Sequence, residues 1–423
     1  MGIARWLPAM VVCAALSGVA PARSLSDVDG VMPAVQGAYR FLHENPEVGL
    51  KETRAHDYVL SALEGLHAFT FETVPKLPTA VIAVLDTGRE GPTVGLRSEL
   101  DARPLDSGVT EPLSHNPRSH VDGIMHNCGH DAHAAMLLGA ATYAATHRRQ
   151  LRGKLVFIFQ PAEEVKGGAD DIVADGLLQR LGVQALYAQH SVPGLPVGTV
   201  SLSPGTPMAG SWYYKLKLAG RASHAAAPYQ GTDTAVVAAR LISELATFPA
   251  HGVDIANSPM VIGVAKVSSM SSTLNALPAE AMVEGTIRAF EDIQLDRPDA
   301  PGIVTQLRQR LSGLAEAYGV RATLEVEPGS PPTQNSDALF GPVVDRLRSL
   351  WNNSLQTPFY RGMFSEDFAF YTAATPSLYF GLGVAKDGLG TGAIHSADFT
   401  IHPDALRVGT QLLVDLMHIG APR

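Results

Sequence analysis

Cysteine is nearly absent. The chain of 423 residues holds two, Cys13 and Cys128, which excludes a small disulfide-stapled scaffold. Charge is sparse at 17% of residues, and Asp plus Glu outnumber Lys plus Arg by 41 to 32, for a formal charge of −9. That balance excludes the clustered basic surface that a nucleic-acid backbone would select, so no nucleic-acid partner is expected. Apolar runs of membrane-spanning length are missing beyond the extreme N-terminus. Internal repeats and low-complexity tracts are missing too. What is present is 46% hydrophobic residues, enough for a substantial core, in a length that suits two domains or one large one.

The N-terminus differs from the rest. MGIARWLPAMVVCAALSGVAPARS carries one cation early, Arg5, then an apolar stretch from Leu7 to Ala20. Ala20-Pro21-Ala22 has the small-x-small form of a leader-peptidase site, so residues 1–22 read as a secretory signal peptide. A membrane anchor is the competing reading. The expectation is a periplasmic or secreted protein with no stable membrane span after processing. Export removes Cys13 and leaves Cys128 alone, as a buried apolar side chain, a reactive thiol or a metal ligand.

Short, uniformly apolar runs recur, each followed by polar residues: TVGLRSELD to Asp101, KLVFIFQPAEE to Glu164, ALYAQH to His190, and SLYFGLGV ahead of His395. Such runs fit strands buried on both faces of a parallel sheet. Helical patterns lie between them, in AHAAMLLGAATYAATHRR and ALFGPVVDRLRSLW. The predicted class is α/β, a helix-covered and mostly parallel sheet, with candidate residues beyond the carboxyl ends of the strands. Between residues 207 and 328 the texture changes. Strand and helix patterns follow the order β-α-β-β-α-β, flanked by the joints SPGTPMAG and EPGSPPTQN. That order predicts an inserted ferredoxin-like α+β unit, leaving 23–206 and 329–423 as the main domain.

MHNCGHDAH, residues 125–133, puts the lone thiol among imidazoles and a carboxylate. A soft thiolate with imidazole suits Zn²⁺ or another divalent first-row ion. Gly129 lets the backbone turn sharply, so that Cys128 and His130 can aim at one place. Asp131 is expected to cap the following helix and to hold an imidazole, and His133 to be a supporting residue rather than a ligand. In QPAEE, adjacent side chains on extended backbone point to opposite sides. One of Glu163 and Glu164 can then bind metal while the other serves as a base. The simpler alternative for this pair is a solvated strand end, and for Cys128 an inert buried thiol.

Seven motifs in one order, HENPEVG, LRSELDARP, MHNCGHDAHAAMLLGAA, FQPAEEVKGGADDIVADGLL, ASHAAAPYQGTD, SEDFAFY and IHSADFTIHPDAL, span roughly residues 35–415. Together they resemble the metallo-amidohydrolases that include hippurate hydrolase, N-acyl-amino-acid deacylases and auxin-conjugate hydrolases, relatives of aminoacylase and carboxypeptidase G. The resemblance implies two divalent ions per subunit, zinc or manganese foremost, with cobalt or nickel as further options. It implies Cys128, His130, Glu164, His190 and His395 as ligands, the thiolate bridging, and Glu163 as general base. It also implies His224, Asn275 and Arg288 of the inserted unit as substrate-binding residues, Asp101 as a support for a ligand, and a homodimer. The implied reaction is metal-dependent hydrolysis of N-acyl amino acids or related amides. The alternatives are a small-peptide carboxypeptidase or dipeptidase, and a periplasmic binding protein of the same fold without turnover. This chain departs from the family pattern at Glu99, Asn127 and Thr400. His43, His56, His67, His115, His120, His147, His251 and His402 read as surface or structural, His126 as near the site without being a ligand, and Asp170 and Asp171 as helix-start acids.

Overall fold

The structure, a computed structural model, describes residues 24–165, 167–269, 271, 273–296, 298, 300–358 and 361–422. The expected leader, residues 1–22, lies outside the described residues. Eight strands form the main sheet in the spatial order Thr70–Glu72, Val81–Asp86, Lys154–Gln160, Thr93–Glu99, Ala185–Pro196, Ser377–Ala385, Val200–Ser201 and Leu355–Gln356. The central four, from Lys154–Gln160 to Ser377–Ala385, run parallel. Antiparallel pairings add Val81–Asp86 and Val200–Ser201 on either side.

The apolar runs are uniform because both sheet faces are covered. In Lys154–Gln160, Leu155, Phe157 and Phe159 enter one core cluster, while Val156 and Ile158 enter another on the opposite face. This is the period-two alternation of a strand with two buried sides. The largest cluster also takes in the helices Met32–Glu44, His130–Thr146 and Asp404–Ile419. His130–Thr146 is buried almost all round. Its small residues let neighbours approach closely: a Cβ on Gly139 would come within 2.3 Å of Val35 Cγ2.

A separate core spans Trp212 to Leu324. It lies between the helices Thr234–His251 and Ile303–Glu316 and a four-stranded antiparallel sheet ordered Met260–Ser269, Glu280–Ala289, Gly210–Ala219, Arg321–Pro328. That strand order is the one a ferredoxin-like β-α-β-β-α-β chain adopts.

Two local expectations are corrected. The strand ending at His190 by sequence continues to Pro196, because its pairing with Ser377–Ala385 runs on past a register shift. The helix expected from Asp131 or Ala132 begins at His130, with Gly129 as its N-cap at φ 91°. Asp131 is therefore inside the first turn and does not cap it.

Candidate metal centre

Gly129 sets the geometry. Its positive φ is a conformation glycine adopts without steric cost. The turn it makes brings Cys128 just before the helix and His130 into its first turn. His130 Nδ1 donates to the Asp101 carbonyl at 2.9 Å and lies 3.3 Å from Asp101 Oδ1. The other nitrogen, Nε2, is buried with no hydrogen-bond partner among the described residues. His190 is arranged in the same way. Its Nδ1 donates to the Ser191 carbonyl at 2.9 Å, and Nε2 faces Cys128 Sγ at 3.4 Å. Imidazoles fixed through one nitrogen, with the other turned toward further ligand-type atoms, are what a metal site requires.

Glu163 and Glu164 follow the Lys154–Gln160 strand, on a turn where Ala162 has φ 61°. Glu52 Oε1 accepts from Ala162 N at 2.8 Å, and Asp101 Oδ2 accepts from Glu164 N at 2.9 Å. The two glutamates are thereby parted. Glu164 Oε1 meets His395 Nε2 at 3.0 Å and its Oε2 meets Arg103 Nη1 at 2.5 Å. Glu163 instead faces His130 Nε2, at 3.9 Å, and Asp367 N, at 3.4 Å.

Ligand-type atoms of Cys128, His130 and His190 lie within 4.8 Å of one another, and so do those of Cys128, Glu164 and His395. Cys128 belongs to both triads. A third group, His130, Glu163 and Glu164, links them. The donor set is one sulfur, three imidazoles and a carboxylate, which suits zinc or a neighbouring first-row ion. The orphaned His130 nitrogen is the observation that fits such an ion best.

Electrostatics divides the roles. Burial pushes the Cys128 thiol up, so a cation is needed to stabilise the thiolate. Burial also lowers His190 to about 3, which leaves its imidazole neutral. For Glu164, burial acts upward, but the His395 hydrogen bond and the charges of His130, His395 and Arg103 outweigh it and hold the carboxylate at about 2. Glu163 is raised well above the usual carboxylate range, first by burial and then by Glu366, Asp367 and Glu164.

Supporting residues complete the shell. His133 uses both nitrogens, donating to Glu99 at 2.8 Å and accepting from Ser191 N at 2.9 Å, so it has none left for an ion. Glu99, one methylene longer than the family pattern, bridges His133 and Arg97. Asp131 turns from the ligands to His43, Oδ2 to Nδ1 at 2.7 Å.

The sequence motifs held other site residues that had not been singled out. Arg97 is 1% exposed, paired with Glu99, Glu366 and Asp367 behind Glu163. Arg103 and Glu52 lie in or just beyond those motifs, but nothing in their neighbours' polarity marks them as partners of the site. In the inserted unit, strand Ser223–His224 pairs with Ala276–Leu277, and Ala225 N donates to Asn275 O at 2.8 Å, which makes His224 and Asn275 neighbours. His224 is exposed, and its Nδ1 accepts from Ala226 N at 3.1 Å. Among the described residues it joins none of the ligand groups. Arg288 does reach the main domain, with Nη1 donating to Ser365 Oγ at 2.5 Å, next to Glu366.

Comparison with known proteins places the chain among metal-dependent hydrolases of small amides. N-acetylcysteine deacetylase of Bacillus subtilis is 30% identical over 377 residues, covering 89% of this chain and 94% of that protein. IAA-amino acid hydrolase ILR1-like 4 of Arabidopsis thaliana is 33% identical over 387 residues, covering 89% and 83%. The solved YXEP protein of Bacillus subtilis, described as a dinuclear metal-binding peptidase, superposes with a TM-score of 0.78 at 29% identity, over 92% of this chain and 98% of that one. The profile of Peptidase family M20/M25/M40 matches residues 95–418, and the chain belongs to that family.

Proposed function

We propose that the protein is an exported, metal-dependent amidohydrolase that cleaves the amide bond of N-acyl amino acids or closely related amides. The observation that carries the reading is the pair of triads sharing Cys128, with Glu163 beside them. Cys128, His130, Glu164, His190 and His395 would hold two divalent ions. When bound, such ions supply an acidified water and polarise the scissile carbonyl.

Glu163 takes the proton of the attacking water and delivers it to the departing amine nitrogen, acting as base and then acid. Arg97, Glu366 and Asp367 form the wall behind it, and the Asp367 amide donates to Glu163 Oε1 and helps to aim it. Arg288 offers a guanidinium for the substrate carboxylate, and His224 with Asn275 offers polar contacts to its carbonyl. A homodimer joined through the inserted unit belongs to this reading, supported by the exposed Val261, Val264 and Val267 of its outer strand Met260–Ser269. Export is supported by the leader-like residues 1–22. Among the described residues no helix is long and apolar enough to cross a membrane.

The test is release of free amino acid from a panel of N-acyl amino acids, before and after chelation and after metal is restored. Release that vanishes with chelator and returns with metal supports the proposal. A metal-loaded protein that cleaves none of them contradicts it and favours a binding protein without turnover.

A further inference from the structure

Glu52 is fully buried and takes no part in the proton transfer assigned to Glu163. It stands at the N-cap of the helix Thr53–Glu64, yet its side chain does not cap that helix. The carboxylate turns toward the site instead. Oε1 accepts from Ala162 N at 2.8 Å and from Leu50 N at 3.0 Å, and Oε2 accepts from Thr79 Oγ1 at 3.1 Å. Three separate stretches of chain meet on this one side chain.

Two of the three donors belong to strained residues. Ala162 has φ 61° and Leu50 has φ 65°. A residue with a Cβ keeps such a conformation only where its surroundings fix it. Glu163 and Glu164 directly follow Ala162, so the turn there sets where both glutamates begin. The chain ahead of Glu52 presses on the same turn: a Cβ on Gly49 would lie 2.6 Å from Val165 Cγ2, 3.3 Å from Ala162 Cα and 3.5 Å from Asp101 Oδ2. Ala102 N donates to Glu47 O at 2.7 Å, which ties that chain to the residue after Asp101.

Charge is not what this position calls for. Burial, and then the charge of Asp101, push Glu52 up to about 7, against the hydrogen bond from Ala162. Length is what the three donors call for, since one side chain must span from the helix end to both Ala162 N and Thr79 Oγ1. We infer that Glu52 is a positioning residue of the metal centre: by its reach rather than its charge, it fixes the left-handed turn at Ala162 that sends Glu164 to Cys128 and His395 and leaves Glu163 beside them. The inference rests on the metal-dependent hydrolase reading given above.

The test compares Glu52→Gln, which keeps the reach and removes the charge, with Glu52→Asp, which keeps the charge and is one methylene shorter. In a competitive chelator titration of the zinc-loaded protein, Glu52→Asp should weaken one of the two binding steps by about 10–100-fold, and Glu52→Gln should leave both as in the wild type. With an N-acyl amino acid that the wild type cleaves, kcat should fall in Glu52→Asp by a similar factor while KM holds, since Arg288, His224 and Asn275 lie on other elements. Adding Ala162→Gly to Glu52→Asp should recover about tenfold of each loss, because glycine takes a positive φ without the anchor. A loss in Glu52→Gln as large as that in Glu52→Asp overturns the assignment. So does a Glu52→Asp protein that binds both ions as the wild type does, or one that Ala162→Gly fails to rescue. A wild type that binds two ions and cleaves none of the panel removes the amidohydrolase reading, and the order of metal affinities then still decides the role of Glu52.

Discussion

Glu163 is buried beside Glu164, Glu366 and Asp367, and burial with their repulsion raises its pKa. Cations held in the adjoining triads would offset the repulsion and leave it able to accept a proton. Glu163→Gln keeps the shape and removes the base. The expected loss in kcat is about 10²–10⁴-fold, with metal content by elemental analysis unchanged. Full activity in that variant would remove Glu163 from the mechanism. His43 shows a different use of charge. Burial acts against its protonation, but the hydrogen bonds it donates to Asp131 and Glu111 outweigh this and raise it from 6.5 to about 9. A raised pKa means the stabilisation is complete below about 6.5 and is lost as pH rises through about 9. Unfolding in denaturant should therefore show stability falling across that window, and His43→Ala should flatten the fall. The same variant should cost about 3–5 kcal/mol near neutral pH, because it strands two buried carboxylates.

The turn at Gly129 is the element on which the centre depends. Alanine there faces a positive φ of 91° and contacts of 3.0 Å to Ser191 Oγ and 3.3 Å to His133 Nε2 and Phe399 Cζ. Strain of this kind costs about 1–3 kcal/mol. Gly129→Ala should lower metal affinity in a competitive chelator titration, since Cys128 and His130 flank the strained residue. Unchanged affinity would show that the turn can shift without moving the ligands. The elements were legible in the sequence where pattern and function coincide. Apolar runs ending in polar residues marked the parallel strands, and Cys-Gly-His at a helix start marked the loop. Less was legible where buried charges meet across long separations. Arg97 pairs with Asp367, 270 positions away, and His43 with Asp131, 88 away. A charged residue inside an apolar run, such as Arg97, does not announce its partner. The sequence pointed to Asp131 holding an imidazole, but not to that imidazole being His43, nor to the helix beginning at His130 so that Asp131 does not cap it.

Across the whole molecule, the inserted unit meets the main domain through contacts such as Arg288 to Ser365. His224 and Asn275 sit together on the second unit while the ligand triads sit on the first. The proposal at the centre of the site is narrower: Cys128, His130, Glu164, His190 and His395 would hold a pair of cations. Anomalous diffraction from crystals of the reconstituted protein, collected at the absorption edge of the added metal, measures this directly. The account predicts two peaks per chain, one among Cys128, His130 and His190 and one among Cys128, Glu164 and His395, with the sulfur between them. Peaks elsewhere, or none after reconstitution, would contradict it.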